Sequence, residues 1–180
     1  MTKLRSACIG ASMTTFLALA GCAGSPALEP IRTADYVDLQ RFMGDWYVIA
    51  NIPTFIEKGA HNAVESYRLD DDGSIATTFT FRQDGFDGKQ KTYRPRGFVE
   101  DTKSNAIWGM RFIWPFKGDY RIVYLDESYT LTVIGRQARD YVWIMARSPT
   151  VPDADYQRML ELLAGEGYDT SKIEKVPQRW

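Results

Sequence analysis

The chain has 180 residues, with 22 basic and 23 acidic side chains and a formal charge of −1. So even a balance offers no general attraction to nucleic acid or to anionic lipid surfaces. One histidine, His61, and two cysteines, Cys8 and Cys22, leave Ser–His or Cys–His catalysis and histidine-based metal sites short of parts.

Lys3 and Arg5 precede an apolar run from Ala7 to Ala20, broken only by small polar residues. The run is too short to span a bilayer and has the layout of an export signal over residues 1–21. It ends in Leu19-Ala20-Gly21-Cys22, which resembles the bacterial lipoprotein signal, in which the cysteine is acylated and becomes the new N-terminus. An ordinary signal cut near Ala20 is the other reading. Ala23 after the cysteine favours the outer membrane, by resemblance to enterobacterial sorting. Loss of residues 1–21 would leave 20 basic and 23 acidic side chains, a charge of −3. Only Cys22 would survive, so no intramolecular disulfide is expected and the fold must rest on its core. Residues 22–33, with Pro26 and Pro30, are expected as a lipidated tether, and residues 34–180 as one domain.

Residues Tyr36 to Met43 suggest a short helical lead-in, followed by Gly44-Asp45-Trp46-Tyr47. A glycine two residues before a tryptophan lets the chain turn close beneath a barrel while the indole plugs its end. Strands are expected at Trp46–Ile52, Asn62–Leu69, Ser74–Arg82, Gln90–Glu100, Ala106–Ile113, Asp119–Leu125, Tyr129–Gly135 and Tyr141–Arg147. Eight short strands at this spacing indicate an antiparallel sandwich or barrel. Pro95 demands an edge or a bulge. The connections at Asp72, Ser104 and Glu127 are short. Those at Pro53–His61, Gln83–Lys89 and Trp114–Gly118 are longer and carry aromatics, so one end is closed and the other is a mouth. Asp153 to Ala164 then predicts a helix, with Tyr156, Met159, Leu160 and Leu163 on one stripe, packed outside the barrel. A final short strand after Tyr168 is expected to point Ile173 and Val176 inward.

The order Gly44-x-Trp46, eight strands, Arg147 closing the last of them, then a helix, resembles the lipocalins. Arg41-Phe42-Met43-Gly44-Asp45-Trp46-Tyr47, Glu57-Lys58-Gly59, Asp140-Tyr141-Val142-Trp143-Ile144 and Arg147-Ser148-Pro149-Thr150 narrow it. They are similar to the bacterial outer-membrane lipocalins, relatives of apolipoprotein D and plant temperature-induced lipocalins, over about residues 34–176. The resemblance implies an all-β fold, an eight-stranded antiparallel up-and-down β-barrel with one C-terminal α-helix packed outside. It implies binding of small hydrophobic ligands, fatty acids or lysophospholipids, without turnover, cofactor or metal. It places the chain at the outer membrane through acylated Cys22, with the barrel facing the periplasm. Gly44, Trp46 and Arg147 are implied to be structural, the guanidinium lying on the indole in a contact worth about 0.5–2 kcal/mol. One motif departs: the family turn Thr-Asp-Tyr is replaced within Leu125-Asp126-Glu127-Ser128-Tyr129, which keeps only the Asp.

Counting from the family's inward positions, strand alternation places an aromatic, largely apolar set inside. Ala63, Tyr67, Leu69, Ile75, Thr77, Phe81, Tyr93, Pro95, Gly97, Val99, Trp108, Tyr124 and Met145 belong to it, and those near the closed end are expected to fill solid core. The expected ligand lining is Glu65, Phe79, Met110, Phe112, Tyr120, Ile122, Tyr141 and Trp143. The strand at Tyr129–Gly135 is ambiguous. Glu65 stands where relatives usually carry a small residue. Inside the cavity it would be a handle for a cationic or hydroxylated ligand; the other readings put it in water at the mouth or shift the register by one. Phe55, Ile56 and Trp114-Pro115-Phe116 at the mouth suit a lid, a homodimer contact or lipid. Two functions from different classes remain: a lipid-binding carrier, or an envelope scaffold that binds a protein partner through its mouth loops.

Overall fold

The computed structural model describes residues 28–180, and the expected export signal and Cys22 lie outside the described residues. Asp38 begins the closed end. Its Oδ1 accepts the backbone N–H groups of Gln40 and Arg41 at 2.9 and 3.2 Å, capping the short helix α1 (Leu39–Phe42). Gly44 then turns the chain into β1 (Gly44–Ile52) at φ +96°, and a Cβ there would stand 3.2 Å from Nη1 of Arg147. Both conditions call for glycine.

Seven further strand segments follow as β2 (Ala60–Leu69), β3 (Ile75–Gln83), β4 (Gln90–Tyr93), β5 (Arg96–Val99), β6 (Ile107–Ile113), β7 (Phe116–Leu125) and β8 (Leu131–Gly135). Then come β9 (Val142–Ala146), helix α2 (Asp153–Gly165), a 3₁₀ turn at Thr170–Lys172 and β10 (Glu174–Lys175). The segments β4 and β5 are one wall strand broken at Arg94-Pro95, because proline has no N–H to give the ladder. Each wall strand pairs antiparallel with the next, and β9 returns to β1 and closes an eight-stranded barrel.

Two apolar clusters lie on the two faces of this wall. The interior one gathers Phe42, Trp46, Tyr67, Ile75, Phe79, Phe81, Trp108, Met110, Ile122, Ile134 and Met145. The outer one joins Tyr156, Met159 and Leu163 of α2 to Ile49, Ile52, Val123, Leu131, Val133, Val142 and Ile144. The expected outside position of the helix is therefore what is observed. The ambiguous strand resolves as β8, with Ile134 inward and Leu131 and Val133 beneath the helix.

Three expectations are corrected. Tyr124 packs in the outer cluster, because a bulge between Ile122 and Tyr124 breaks the alternation of β7. Ile173 also joins the outer cluster, and Val176 alone faces in. The long loop expected at Trp114–Gly118 is a two-residue turn, Trp114-Pro115: β6 and β7 keep pairing past the rim as far as Ile113 and Phe116. The aromatics there belong to a projecting hairpin.

The departing turn motif also gains an explanation. Oδ1 of Asp126 accepts N–H groups of Thr130 and Leu131, both at 2.7 Å, and its Oδ2 takes the Ser128 and Thr130 hydroxyls. Burial pushes this carboxyl up, yet the bonds from Ser128, Leu131 and Thr130 outweigh it and hold the group below the usual carboxylate range. Tyr129, at φ +61°, reaches back so that its hydroxyl accepts the N–H of Asp38 at 2.8 Å. One retained Asp is enough to organise the turn. Asp126→Ala is expected to cost about 2 kcal/mol in urea unfolding, since two backbone donors lose their acceptor; a loss under about 0.5 kcal/mol would show the turn holds without it.

The wall between β1 and β2 is finished by the C-terminal segment. These strands pair directly only over Gly44–Tyr47 and Val64–Tyr67. Above that, β10 pairs with Ala50 and Asn51, and the Gln178 side-chain amide donates to the carbonyls of Val48 and Ala63 at 2.8 and 3.2 Å. Asn62 grips the same segment, donating its N–H to Pro177 and its side-chain amide to Arg179.

Candidate ligand cavity

The closed end is solid. Arg147 lies 3.9 Å over the Trp46 ring and donates to the carbonyls of Arg41, Phe42, Met43, Asp45 and Tyr129 at 2.7–3.3 Å. Trp46 donates Nε1–H to Phe42 at 2.8 Å, and Phe42 packs at 5.5 Å from Trp108. Thus Gly44, Trp46 and Arg147 form one lock on the barrel's end, well below any space for a ligand.

Above this plug opens a cavity of about 520 Å³, within the range of sites for single small ligands. Seven of the eight expected lining residues surround it: Glu65, Phe79, Met110, Phe112, Tyr120, Tyr141 and Trp143. Ile122 does not. The Tyr120 ring stacks on Trp108 at 5.3 Å and closes the floor, and Ile122, two residues further along β7 toward the closed end, is sealed in the core beneath it. Phe112 is more than half exposed, so it belongs to the lip as much as to the wall.

Glu65 faces inward at the floor. The Tyr67 hydroxyl donates to its Oε2, and the Tyr120 hydroxyl lies 2.5 Å from that of Tyr67, so the three form one chain of hydrogen bonds. Desolvation by burial, reinforced by the Glu57 carboxylate, pushes the Glu65 carboxyl up to about 8, which keeps it largely protonated at neutral pH. Burial, with Glu65 as a lesser cause, likewise holds the Tyr120 phenol well above its ordinary value. The floor is therefore polar but uncharged.

The rim carries groups that strand alternation alone did not reveal. Glu57 is buried on the loop after β1. Its Oε1 accepts Trp143 Nε1–H at 2.7 Å and its Oε2 accepts the Thr54 N–H at 2.9 Å, tying loop to wall. Arg136, just past β8, reaches Asp140 at 3.1 Å, lies 5.4 Å over the Tyr141 ring and lines the cavity with a buried Nε–H that has no partner among the described residues. Arg94, exposed, completes a basic edge. Thr77, Tyr93 and Pro95, all inward by alternation, also line the space.

A closed antiparallel barrel with an apolar cavity open at one end is a calyx architecture. Residues 37–178 match the lipocalin-like domain family, and the chain belongs to it. The outer membrane lipoprotein Blc of Citrobacter freundii is 29% identical over 93% of this chain and 94% of its own. That of Escherichia coli K12 is 28% identical over 94% and 95%. Temperature-induced lipocalin-1 of Arabidopsis thaliana is 32% identical over 79% and 80%. Among solved structures, the cockroach allergen Per a 4 superposes with a TM-score of 0.64 at 19% identity, over 86% of this chain and 97% of that one. Apocrustacyanin C2 gives 0.64 at 11%, over 87% and 94%. At these identities the two structures speak for the fold alone.

Proposed function

We propose that this protein binds one acyl-chain amphiphile, a fatty acid or a lysophospholipid, and holds it at the outer membrane without chemical turnover. The observation that carries the reading is the cavity: an apolar, one-mouthed space whose basic lining groups among the described residues, Arg94 and Arg136, stand at the lip. An acyl chain entering it gains about 0.8 kcal/mol per buried CH₂. The carboxylate or phosphate that follows meets the unpartnered Nε–H of Arg136, a charge-assisted partner. The names of the bacterial relatives, outer membrane lipoproteins, and the Leu19-Ala20-Gly21-Cys22 stretch support attachment through an acylated Cys22 with the barrel in the periplasm.

Native mass spectrometry of residues 23–180 purified without detergent, followed by Trp-fluorescence titration, tests this. One lipid per chain, or saturable quenching at a single site, is expected. An empty barrel that no lipid perturbs would sink the carrier reading and favour a scaffold that binds a protein partner. Arg136→Leu is expected to weaken a fatty acid about tenfold and to leave the alcohol of equal length nearly unchanged, the worth of one charge-assisted hydrogen bond. Equal losses for both would remove Arg136 as the head-group partner. Glu65→Ala should shift preference toward plain fatty acids and away from amines and alcohols; an unchanged ranking would show that the floor plays no part in selection.

A further inference from the structure

We propose that the mouth of the barrel sits on a lipid bilayer, with Phe112, Trp114 and Phe116 of the β6–β7 hairpin and Phe55 of the facing loop entering the headgroup layer. The proposal rests on attachment through Cys22 and goes beyond it by fixing which end of the barrel meets the membrane.

The first argument is where the chain arrives. Leu28 and Glu29 lie at the mouth. Their carbonyls accept Nε2–H of Gln137 at 3.3 and 3.0 Å, and that of Glu29 also accepts Arg139 Nη2 at 2.7 Å. The backbone N–H of Gln137 in turn donates to Asp119 at 2.6 Å, and Asp119 lines the cavity. From there the chain runs to the closed end, where Val37 donates to Ser104. Cys22 precedes Leu28 by six residues, a reach of at most about 20 Å. The ten-residue strands, tilted by about 40°, make a wall about 25 Å tall. An anchor tied at the rim by so short a tether holds the mouth toward the membrane. It does not reach past the wall to bring the closed end there.

The second argument is what the mouth presents. Phe55, Phe112, Trp114 and Phe116 are 85, 57, 78 and 76% exposed. The cavity stays open beneath them, so they do not fold over it as a lid. Lys117 and Arg111 lie back along the outer wall behind the hairpin tip, flanking the Phe98 ring at 4.7 and 4.6 Å, with Lys117 also paired to Glu100 at 3.6 Å. Aromatic rings ahead of cations match the layering of a membrane interface. Seated this way, an acyl chain passes between bilayer and cavity without crossing water.

The test uses the full acylated chain in vesicles of phosphatidylethanolamine and phosphatidylglycerol. A nitroxide is placed through Trp114→Cys, through Phe116→Cys as a second tip position, or through Glu127→Cys at the closed end; acylation blocks the sulfur of Cys22. Tip labels relaxed several-fold more by oxygen than by a water-soluble nickel chelate, with the reverse at position 127, are the expected result. Water-like accessibility at both ends in a chain that floats with vesicles overturns the proposal while leaving attachment intact. Spin–spin broadening between tip labels, the mark of a second copy covering the hairpin, also overturns it. A chain whose N-terminal peptide carries no lipid mass and which does not float removes attachment, and the proposal with it.

Discussion

Glu65→Gln is expected to make the protein more stable than the parent by about 2–4 kcal/mol at pH 9 and to change little at pH 5. The Glu65 carboxyl titrates near 8 when folded and near its ordinary 4.5 when unfolded. Between those values the unfolded chain has given up a proton that the folded chain keeps. Rising pH therefore favours unfolding by up to about 1.4 kcal/mol per unit, and the loss levels off once the folded group ionises as well. Below 4.5 both states are protonated and the carboxyl has no effect on stability. Glutamine keeps the shape and most of the hydrogen bonding to Tyr67 and never ionises, so its unfolding curve should lack this downward slope. Water entering the cavity reduces the ceiling, hence the lower figure. Urea unfolding of both proteins at pH 5, 7 and 9 decides it: parallel curves would mean that Glu65 is solvated and ionised throughout.

Trp46→Ala should cost about 3–5 kcal/mol, a large share of an ordinary domain's total stability. The indole is fully buried, packs 5.0 Å from Phe42, and carries the Arg147 guanidinium on its face. Its removal leaves a hole at the closed end and strips Arg147 of its platform. Arg147→Lys should lose a substantial part of the same stability, because an ammonium cannot span the carbonyls of Arg41, Phe42, Met43 and Asp45 at once. The cavity walls do not include Trp46, so a variant kept folded at low temperature should still take up ligand. A loss below about 1 kcal/mol would show that the plug is not a keystone.

Much of this was legible in the amino-acid order because strand alternation is strictly periodic. Phe79 and Phe81, Met110 and Trp108, Trp143 and Met145 face inward as period two requires. The period fails where a residue is inserted, and nothing in Ile122-Val123-Tyr124 announces a bulge; Tyr124 therefore ends beneath the helix. Proline and glycine in Trp114–Gly118 suggested an open loop, but pairing across the hairpin overrode those local preferences. Ile122 faces inward as alternation requires yet lies beneath the cavity, because depth depends on where Tyr120 stacks, which pattern does not encode. Glu57 and Arg136 sit on loops, where side-chain direction has no period at all; their roles came from three-dimensional contacts with Trp143 and Tyr141.

The clasp formed by Asn62 and Gln178 sets an order of events in the life of the chain. Synthesis delivers β1 and β2 early and residues 174–179 late, yet the Gln178 bond to Ala63 joins positions 115 apart in sequence. Closing so long a loop is entropically slow and comes after the local hairpins have formed. Until that step the barrel, already closed by β9 on β1, keeps a gap between β1 and β2 above the stretch where they pair directly. Residues 174–179 are thus the last piece of the wall to be laid.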